Sequence, residues 1–366
     1  MAALGHIPLV EVTRGRIVES VHYGSLCLSQ PDGKVMLSLG DQITPFFLRS
    51  SAKPFQLLAF LEQGGREHYS LEPREIAIMC ASHSGTPAHI EVLEALQEKG
   101  GINESMLQCG VHAPYHKPSA DRLILDGTPL HPNHNNCSGK HTGMLSFTRM
   151  IGAPLDSYLE NSHPVQQAIL KTFAEMCEVD MEMIELGVDG CTAPVFAVPL
   201  GAAALGYARL CQPDDLAENR ASACRDITSA MTAHADMVAG PERFDTDGMS
   251  AGKGAFISKL GAEGYRSIGI LPGCARGIES SLGLTIKISD GDAAYRATAI
   301  IAMAVIKALG VLDDSQIDSL KRYSRHPVTN WRGKEVGEIR PTNELTQALT
   351  EFTAEQISTS TLMNPS

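Results

Sequence analysis

The stretch Arg49-Ser50-Ser51-Ala52-Lys53-Pro54 stands where an extended segment gives way to a helix, and it separates two kinds of sequence pattern. Before it, residues 10–40 read as short extended pieces punctuated by Pro31-Asp32-Gly33, which is typical of an antiparallel meander. After it, apolar residues recur at helical spacing until Gly64-Gly65. Because a residue before proline avoids the α region, the tetrad is predicted to be a tight turn with the regular helix starting at Pro54.

Helix signals dominate the middle of the chain, and strand signals return near its end. Thr86-Pro87 starts a helix that runs to Gly100-Gly101. Residues 267–271, 282–288 and 335–339 read as strands, and residues 293–309 as a long helix. These patterns predict one α/β (α+β) domain over residues 1–366, in which a central, mostly antiparallel sheet from roughly residues 8–48 and 255–345 is flanked by helices, with a helical block over roughly 50–250 inserted in mid-chain.

Composition excludes several function classes. The formal charge of -12 and the lack of a Lys/Arg block make nucleic acid an unsuitable partner. The most apolar stretch, residues 193–210, contains too many proline and glycine residues for a membrane span and is expected to be buried. No secretion signal opens the chain, so a cytoplasmic protein is expected. The nine cysteines form an odd, widely spread set that predicts reduced core thiols.

The tetrad Ser50-Ser51-Ala52-Lys53 carries the first candidate chemistry. A spacing of three places the lysine amine within reach of the serine hydroxyl, whose proton it can take. A helix N-terminus also offers N–H groups to a developing oxyanion. The pattern alone is weak evidence for catalysis, because Ser250-Ala251-Gly252-Lys253 matches it too. A helix-capping serine followed by a solvated lysine would also produce the Ser-x-x-Lys pattern.

Two later segments give the tetrad its context, namely Ser82-His83-Ser84-Gly85 and Lys259-Leu260-Gly261. Serine β-lactamases and penicillin-binding proteins carry Ser-x-x-Lys, Ser-x-Asn and Lys-Thr-Gly in that chain order. Here Ser84 stands for the asparagine and Leu260 for the threonine. These departures argue against β-lactam chemistry and leave simpler amide hydrolysis on the same kind of scaffold.

A second constellation joins residues 135–141, Asn-Asn-Cys-Ser-Gly-Lys-His, with Asp189-Gly190-Cys191-Thr192. Two thiolates from glycine-bearing loops suit a soft or borderline metal such as Zn²⁺. Two buried cysteines and a surface lysine are the alternative interpretation. Residues 134–141 are no phosphate-binding loop, because His134 and His141 replace the glycine and the hydroxyl residue that such a loop requires. The zinc deaminase signature is missing as well.

Taken together, the motifs resemble those of the rhizobial-type, or third-class, L-asparaginase family over nearly the whole chain. The segments that carry the resemblance are residues 47–54, 80–85, 134–141, 188–191 and 259–264. The resemblance implies a serine-β-lactamase-like fold, a homodimer, and two Ser-Lys tandems that fall on Ser50 with Lys53 and on Ser82 with Lys259. It also implies one zinc ion per subunit on Cys137, Lys140, Cys191 and water, with Arg49, Asp189 and His141 near the substrate.

The expected activity is the hydrolysis of L-asparagine to L-aspartate and ammonia. Ser50, deprotonated by Lys53, is expected to attack the amide carbon, and water then hydrolyses the acyl-enzyme. Ser82 and Lys259 are expected to relay protons, and zinc to order the loops around the substrate. Three alternatives stay open: a penicillin-recognising enzyme, a glutaminase-like serine amidohydrolase, and a non-catalytic zinc-binding protein.

Overall fold

The computed structural model of the protein describes residues 5–363. Its strands are β1 (Ile7–Arg14), β2 (Ile17–Ser29), β3 (Val35–Leu39), β4 (Phe46–Phe47), β5 (Glu185–Val188), β6 (Pro194–Val198), β7 (Phe256–Leu260), β8 (Tyr265–Ile270), β9 (Leu282–Ile288), β10 (His326–Thr329) and β11 (Glu335–Pro341).

The α-helices are α1 (Lys53–Leu61), α2 (Gly65–Tyr69), α3 (Pro73–Met79), α4 (Pro87–Gly100), α5 (Lys117–Asp126), α6 (Ser138–Met150), α7 (Pro164–Cys177), α8 (Leu200–Cys211), α9 (Glu218–Ala233), α10 (Ala235–Val238), α11 (Phe244–Gly252), α12 (Thr298–Ala308), α13 (Asp314–Ser319), α14 (Lys321–Ser324) and α15 (Asn343–Met363). Short 3-10 turns occupy Arg49–Ala52, Glu104–Met106, Pro132–His134 and Met181–Met183. No helix in the described part of the chain is both long and apolar enough to cross a membrane.

The chain divides into two compact units. The sheet unit contains the residues up to Phe46, Pro199–Gln212 and the residues from Gly261 onward, and the helical unit contains Phe47–Val198 and Pro213–Leu260. The prediction that residues 1–366 form a single domain is not decided by this division into units and stays a prediction.

The sheet unit is built on an antiparallel sheet with the strand order β10-β11-β1-β2-β9-β8, and β3 pairs with β2. Helix α8 packs on β2, β8 and β9, and it approaches closely because Gly283 has no side chain. A Cβ atom at Gly283 would lie 1.8 Å from the Ala204 carbonyl oxygen. Helices α12 and α15 cover strands of the same sheet. The turn between β10 and β11 carries Trp331, the only tryptophan of the sequence, which is fully exposed.

The helical unit packs around α1, every residue of which is buried. Helices α6, α7 and α9 contact α1, and α3 contacts α4, α6 and α9. Gly139 at the start of α6 permits the close approach of α3, because a Cβ atom there would lie 2.2 Å from the Ile78 carbonyl oxygen. Burial of these apolar side chains stabilises the fold by roughly 25 cal/mol for each Å² of apolar surface removed from water. The packed helices in turn hold the polar residues of the candidate site in place.

The α/β prediction is confirmed, including the antiparallel sheet built from both chain ends and the helical block between them. Several boundaries differ from the prediction: β8 and β11, for example, occupy Tyr265–Ile270 and Glu335–Pro341 instead of residues 267–271 and 335–339. The predicted meander consists of short pieces, whereas β2 is one strand of 13 residues whose pairing with β1 contains register shifts. The predicted helix over residues 293–309 begins only at Thr298, because the Asp292 carboxylate accepts hydrogen bonds from the Ala297 and Thr298 N–H groups. The tetrad is a turn, as predicted, and α1 begins at Lys53, one residue early.

The apolar stretch over residues 193–210 is buried as β6 and most of α8, as predicted. All nine cysteines are free thiols; eight are buried and Cys274 is half-buried.

Candidate active site

The Ser-x-x-Lys tetrad is held at the start of α1 by its own backbone geometry. Residues Arg49–Ala52 form a 3-10 turn, and Arg49 has a φ of 51°, a left-handed conformation that few non-glycine residues adopt. The buried Ser51 hydroxyl donates a hydrogen bond of 2.7 Å to the Lys259 carbonyl oxygen. The tetrad is therefore tied directly to β7, and it brings two sequence motifs that are about 200 residues apart into contact.

The hydroxyl of Ser82 lies between two lysine amines. Lys53 Nζ lies 3.0 Å from Ser82 Oγ, and Lys259 Nζ lies 2.9 Å from the same oxygen. All three side chains are buried, with exposed fractions of 1% for Lys53, 5% for Ser82 and 0% for Lys259. Two lysine amines thus share one hydroxyl in a site that is shielded from solvent.

This arrangement lowers the pKa of Lys259 to about 7, because burial disfavours its ammonium form and the Lys53 charge repels it. Asp245 acts in the opposite sense but does not cancel these effects. At neutral pH a large share of Lys259 is therefore an uncharged amine, which is the form that can accept a proton from a hydroxyl. The neighbouring Cys80 thiol is inert, since burial raises its pKa to about 12.

Ser50 is placed differently from the prediction that paired it with Lys53. Its side chain is half-buried and makes no hydrogen bond among residues 5–363. The Lys53 amine is directed instead to Ser82 Oγ and to the Ala81 carbonyl oxygen, on a segment that follows α3. The structure brings Lys53, Ser82 and Lys259 together, and leaves the Ser50 hydroxyl free of a base.

A second buried cluster contains the two predicted metal-binding thiols and the lysine between them. Lys140 Nζ lies 3.0 Å from Cys191 Sγ, and Cys137 forms a hydrogen bond with Cys191. That hydrogen bond, together with the Lys140 charge, holds the pKa of Cys191 well below its ordinary value, whereas the same contact and burial raise the pKa of Cys137. Burial opposes the ammonium of Lys140, but the Cys191 and Cys137 sulfurs outweigh it and raise the pKa. These shifts favour a thiolate at Cys191, a thiol at Cys137 and an ammonium at Lys140.

These side chains fit a zinc ion by their chemistry. Two sulfurs and one amine nitrogen meet at one buried place, and zinc accepts both sulfur and nitrogen donors. Within residues 5–363 no group of three or more His, Cys, Asp or Glu side chains is placed to hold a metal ion, so a metal here would need the lysine nitrogen. Lys140 would then have to lose its proton, which its raised pKa opposes until a metal replaces that proton.

His141 lies beside this cluster and is completely buried. Its Nδ1 atom lies 2.7 Å from the Tyr158 hydroxyl, and burial lowers the pKa of His141 to about 4 despite the opposing influence of Cys191. The imidazole is neutral at physiological pH. The predicted substrate contact through His141 stays a prediction.

Arg49, at the start of the tetrad, and Asp189, two residues before Cys191, form a charged pair. Arg49 Nε and a terminal nitrogen lie 2.8 and 2.7 Å from Asp189 Oδ1. The side chains keep exposed fractions of 25% and 12%, so a ligand can reach them. Thr192, at the end of the same loop, has a φ of 73°, which is strained for a β-branched residue. Such backbone strain on both loops is typical of a site whose geometry is imposed by its surroundings.

Sequence reasoning did not single out three supporting side chains. His83 Nδ1 accepts a hydrogen bond from the Gly85 N–H, so its Nε2–H donates to Ser138 Oγ at 2.9 Å and ties the Ser82 loop to α6. Arg243 contacts the Ser82 carbonyl and Ser84 Oγ, each at 3.4 Å. Asp245 accepts hydrogen bonds on both sides of Lys259. No short motif marks Arg243 or Asp245, whereas His83 lies within the Ser82–Gly85 motif.

Comparisons with known proteins place these residues in context. Residues 10–341 match the family model described as L-asparaginase II. The covalent complex of the Bacillus subtilis glutaminase YbgJ with 5-oxo-L-norleucine is 14% identical, with 72% of this chain and 79% of that chain covered and a TM-score of 0.32. A Bacillus glutaminase crystallised in the presence of 4.3 M NaCl is 12% identical, with coverages of 74% and 84% and a TM-score of 0.35. Likenesses at this level carry no argument about the substrate. No curated protein sequence matches the chain significantly.

Proposed function

Because the chain belongs to the L-asparaginase II family and is thereby an amidohydrolase, we propose that it hydrolyses L-asparagine to L-aspartate and ammonia through an acyl-enzyme on a serine. The observation that carries the proposal is the Ser82 hydroxyl within 3.0 Å of two buried lysine amines, one of which has a pKa of about 7. That arrangement provides a nucleophile and its base without any further group.

In the proposed first step, neutral Lys259 takes the Ser82 proton while Ser82 Oγ forms a bond to the side-chain carbonyl carbon of asparagine. The tetrahedral intermediate collapses, the C–N bond breaks, and the leaving nitrogen takes a proton from the Lys53 ammonium and departs as ammonia. Water then attacks the ester carbon and loses its proton to a lysine amine. The C–O bond to serine breaks, Ser82 regains a proton, and aspartate is released.

For the nucleophile, this geometry favours Ser82 over the sequence prediction of Ser50. The Ser82 hydroxyl contacts two amines, whereas the Ser50 hydroxyl forms no hydrogen bond to an amine in the described part of the chain. Ser50 is the more exposed of the two, which suits a role beside the substrate. A diazoketone analogue of asparagine should decide the assignment. It would leave a covalent adduct that peptide mapping by mass spectrometry assigns to Ser82 in our proposal, and to Ser50 in the mechanism predicted from sequence.

Substrate recognition is assigned to the Arg49–Asp189 pair. The guanidinium of Arg49 would bind the α-carboxylate of the amino acid, and Asp189 would bind its α-ammonium group. Both side chains are partly accessible and already aligned by their own contact. Asparagine and glutamine differ by one methylene, which is worth about 1–3 kcal/mol in a pocket. Some glutamine turnover is therefore compatible with the proposal.

Zinc, if bound, would be held by Cys137, Lys140 and Cys191 together with water. Its chemistry there would be that of a cation that orders the Cys137 and Cys191 loops, because a nucleophile and a base are available elsewhere. Asp189 precedes Cys191 by two residues, so the loop that presents Asp189 to substrate also carries a sulfur of this cluster. The homodimer and the cytoplasmic location stay predictions.

The proposal is tested by ammonia release from asparagine and glutamine side by side. Ser82→Ala should lower kcat/KM for asparagine by about 10³-fold or more, since removal of a covalent nucleophile commonly has at least that effect. Ser250→Ala is the matched control, because Ser250 is exposed and belongs to the second Ser-x-x-Lys match. Wild-type activity in Ser82→Ala would end the proposal. Labelling of the wild type by a fluorescent penicillin, or zinc binding without any ammonia release, would favour the two other classes of protein.

A further inference from the structure

A short segment before and within the first turn of α11 contacts both partners of the Ser82–Lys259 pair. On one side the Arg243 guanidinium reaches the Ser82 carbonyl oxygen and Ser84 Oγ at 3.4 Å. On the other side the Asp245 carboxylate contacts β7, the strand that carries Lys259. The residue before this segment, Glu242, has a φ of 61°, so the backbone enters it through a left-handed turn.

The Asp245 carboxylate uses both of its oxygens on the two neighbours of Lys259. Oδ1 accepts a hydrogen bond of 2.7 Å from the Ser258 hydroxyl, and Oδ2 accepts one of 2.8 Å from the Leu260 N–H. Asp245 is 2% exposed and Ser258 is 0% exposed, so neither contact is weakened by solvent. A buried carboxylate with two such hydrogen bonds fixes the strand at two points.

These two points determine where the Lys259 side chain goes. Side chains alternate along a strand, so Ser258 and Leu260 point to one face while Lys259 points to the other. The Ser51 hydroxyl holds the Lys259 carbonyl oxygen as well. Rotation or slippage of β7 would move Nζ away from Ser82 Oγ, which now lies at 2.9 Å.

We infer that Asp245 is a positioning residue, whose carboxylate fixes Ser258 and Leu260 and thereby holds the Lys259 amine against the Ser82 hydroxyl. The inference rests on the proposed function, since it assigns Asp245 a part in the same serine activation. In this assignment Asp245 acts through the strand that carries the base.

Two substitutions separate the hydrogen bonds of Asp245 from its charge. Asp245→Ala removes both hydrogen bonds, and kcat on asparagine should fall about 100-fold with KM within about 3-fold, because a displacement of about 1 Å at a base has an effect of that size. Asp245→Asn can keep both contacts. The amide oxygen of asparagine can accept the hydrogen bond from the Leu260 N–H, and its amide NH₂ group can donate to the Ser258 hydroxyl, which can accept as well as donate. This variant should therefore recover most of the kcat lost in the alanine variant.

The asparagine variant has a second readout in the pH profile. The charged groups that act on Lys259 are Lys53 and Arg243, which lower its pKa, and Asp245 and Cys137, which raise it. Without the carboxylate charge, the Lys259 pKa falls further. The acid limb of kcat/KM should then move toward lower pH by about 1 unit.

Asp292→Asn is the matched control for loss of a buried carboxylate. Asp292 is 1% exposed, accepts hydrogen bonds from backbone N–H groups at the start of α12, and belongs to the sheet unit. It should lower the thermal midpoint without moving the acid limb or kcat per folded molecule. Folded fractions are measured by circular dichroism in each case.

The inference is overturned if Asp245→Ala keeps wild-type kcat, or if Asp245→Asn loses as much kcat as Asp245→Ala and keeps the wild-type acid limb. Should the alanine variant not fold, Ser258→Ala takes its place with an expected loss of about 10-fold, and unchanged kcat there overturns the inference. Failure of the proposed function is a separate result, namely a wild type that releases no ammonia or a Ser82→Ala variant that remains active.

Discussion

Replacement of Lys259 by methionine should make the protein less active and more stable. An amine with an ordinary pKa of 10.5 would be neutral in only about 1 molecule in 3,000 at pH 7, whereas a pKa of about 7 makes about half of the molecules neutral. The environment of Lys259 thus raises the fraction of neutral amine at pH 7 by about 10³-fold. Methionine has a similar volume and no proton-accepting nitrogen, so kcat/KM should fall by about 10²- to 10⁴-fold, and the acid limb near pH 7 should disappear.

The stability change follows from the same shift in pKa. Lys259 binds its proton more weakly in the folded than in the unfolded chain, so the unfolded state holds more protons between pH 7 and pH 10.5. The stability of the wild type therefore rises with pH across that window. Below pH 7 the buried Lys259 ammonium destabilises the folded state by at most about 5 kcal/mol. Methionine removes this penalty, although loss of the 2.8 Å hydrogen bond from Nζ to the Leu260 carbonyl oxygen offsets part of the gain.

Two measurements check this prediction: kcat/KM for ammonia release between pH 5 and pH 10, and the thermal midpoint over the same range. The methionine variant should have the higher midpoint at pH 7, and the difference should shrink toward pH 10. A variant that retains an acid limb near pH 7, or that is less stable than the wild type at every pH, would refute the assignment of Lys259 as a buried neutral base.

Three further results are expected. Arg49→Lys should raise KM for asparagine by about 10-fold or more at nearly unchanged kcat, because lysine cannot reproduce the two-nitrogen contact; a change in kcat alone would contradict a binding role. Cys191→Ser should lower the zinc content, measured by elemental analysis, and should raise KM more than it lowers kcat. A chelator added to the wild type should have the same effect on KM and kcat. Total loss of kcat with intact substrate binding would instead assign the metal a direct part in catalysis. Gly139→Ala should lower the thermal midpoint by several degrees, because its Cβ would lie 2.2 Å from a backbone oxygen, whereas Gly190→Ala, with no atom within 4 Å, should leave the midpoint unchanged.

Much of the fold could be predicted from the sequence, because its strongest signals are local. Thr86-Pro87 and Gly100-Gly101 bound a helix that the structure places at Pro87–Gly100. The start of α12 could not be predicted, since the residue that fixes it, Asp292, acts through hydrogen bonds to backbone groups five and six residues later. Nothing in the apolar spacing marks that cap, and the spacing alone extends the helix too far.

The candidate site divides in the same way. The order of three short motifs brings Ser82 and Lys259 into consideration, and the structure places their side chains in contact. The pairing of Ser50 with Lys53 stays a prediction, because the Lys53 amine contacts Ser82 Oγ and the Ala81 carbonyl oxygen, and those contacts depend on the tertiary fold, which the spacing of three residues does not reveal. Asp245 gives no signal in the sequence, since its role depends on the tertiary approach of α11 to β7.

The position of Trp331 determines what intrinsic fluorescence can report about this protein. The only indole sits in water on the turn between β10 and β11, in the sheet unit, while the serine and lysine side chains of the candidate site belong to the helical unit. Its emission should already be that of a solvated indole in the native state and should change little on denaturation. Ligand titrations therefore need calorimetry, or an introduced indole near Asp189 to serve as a local optical probe.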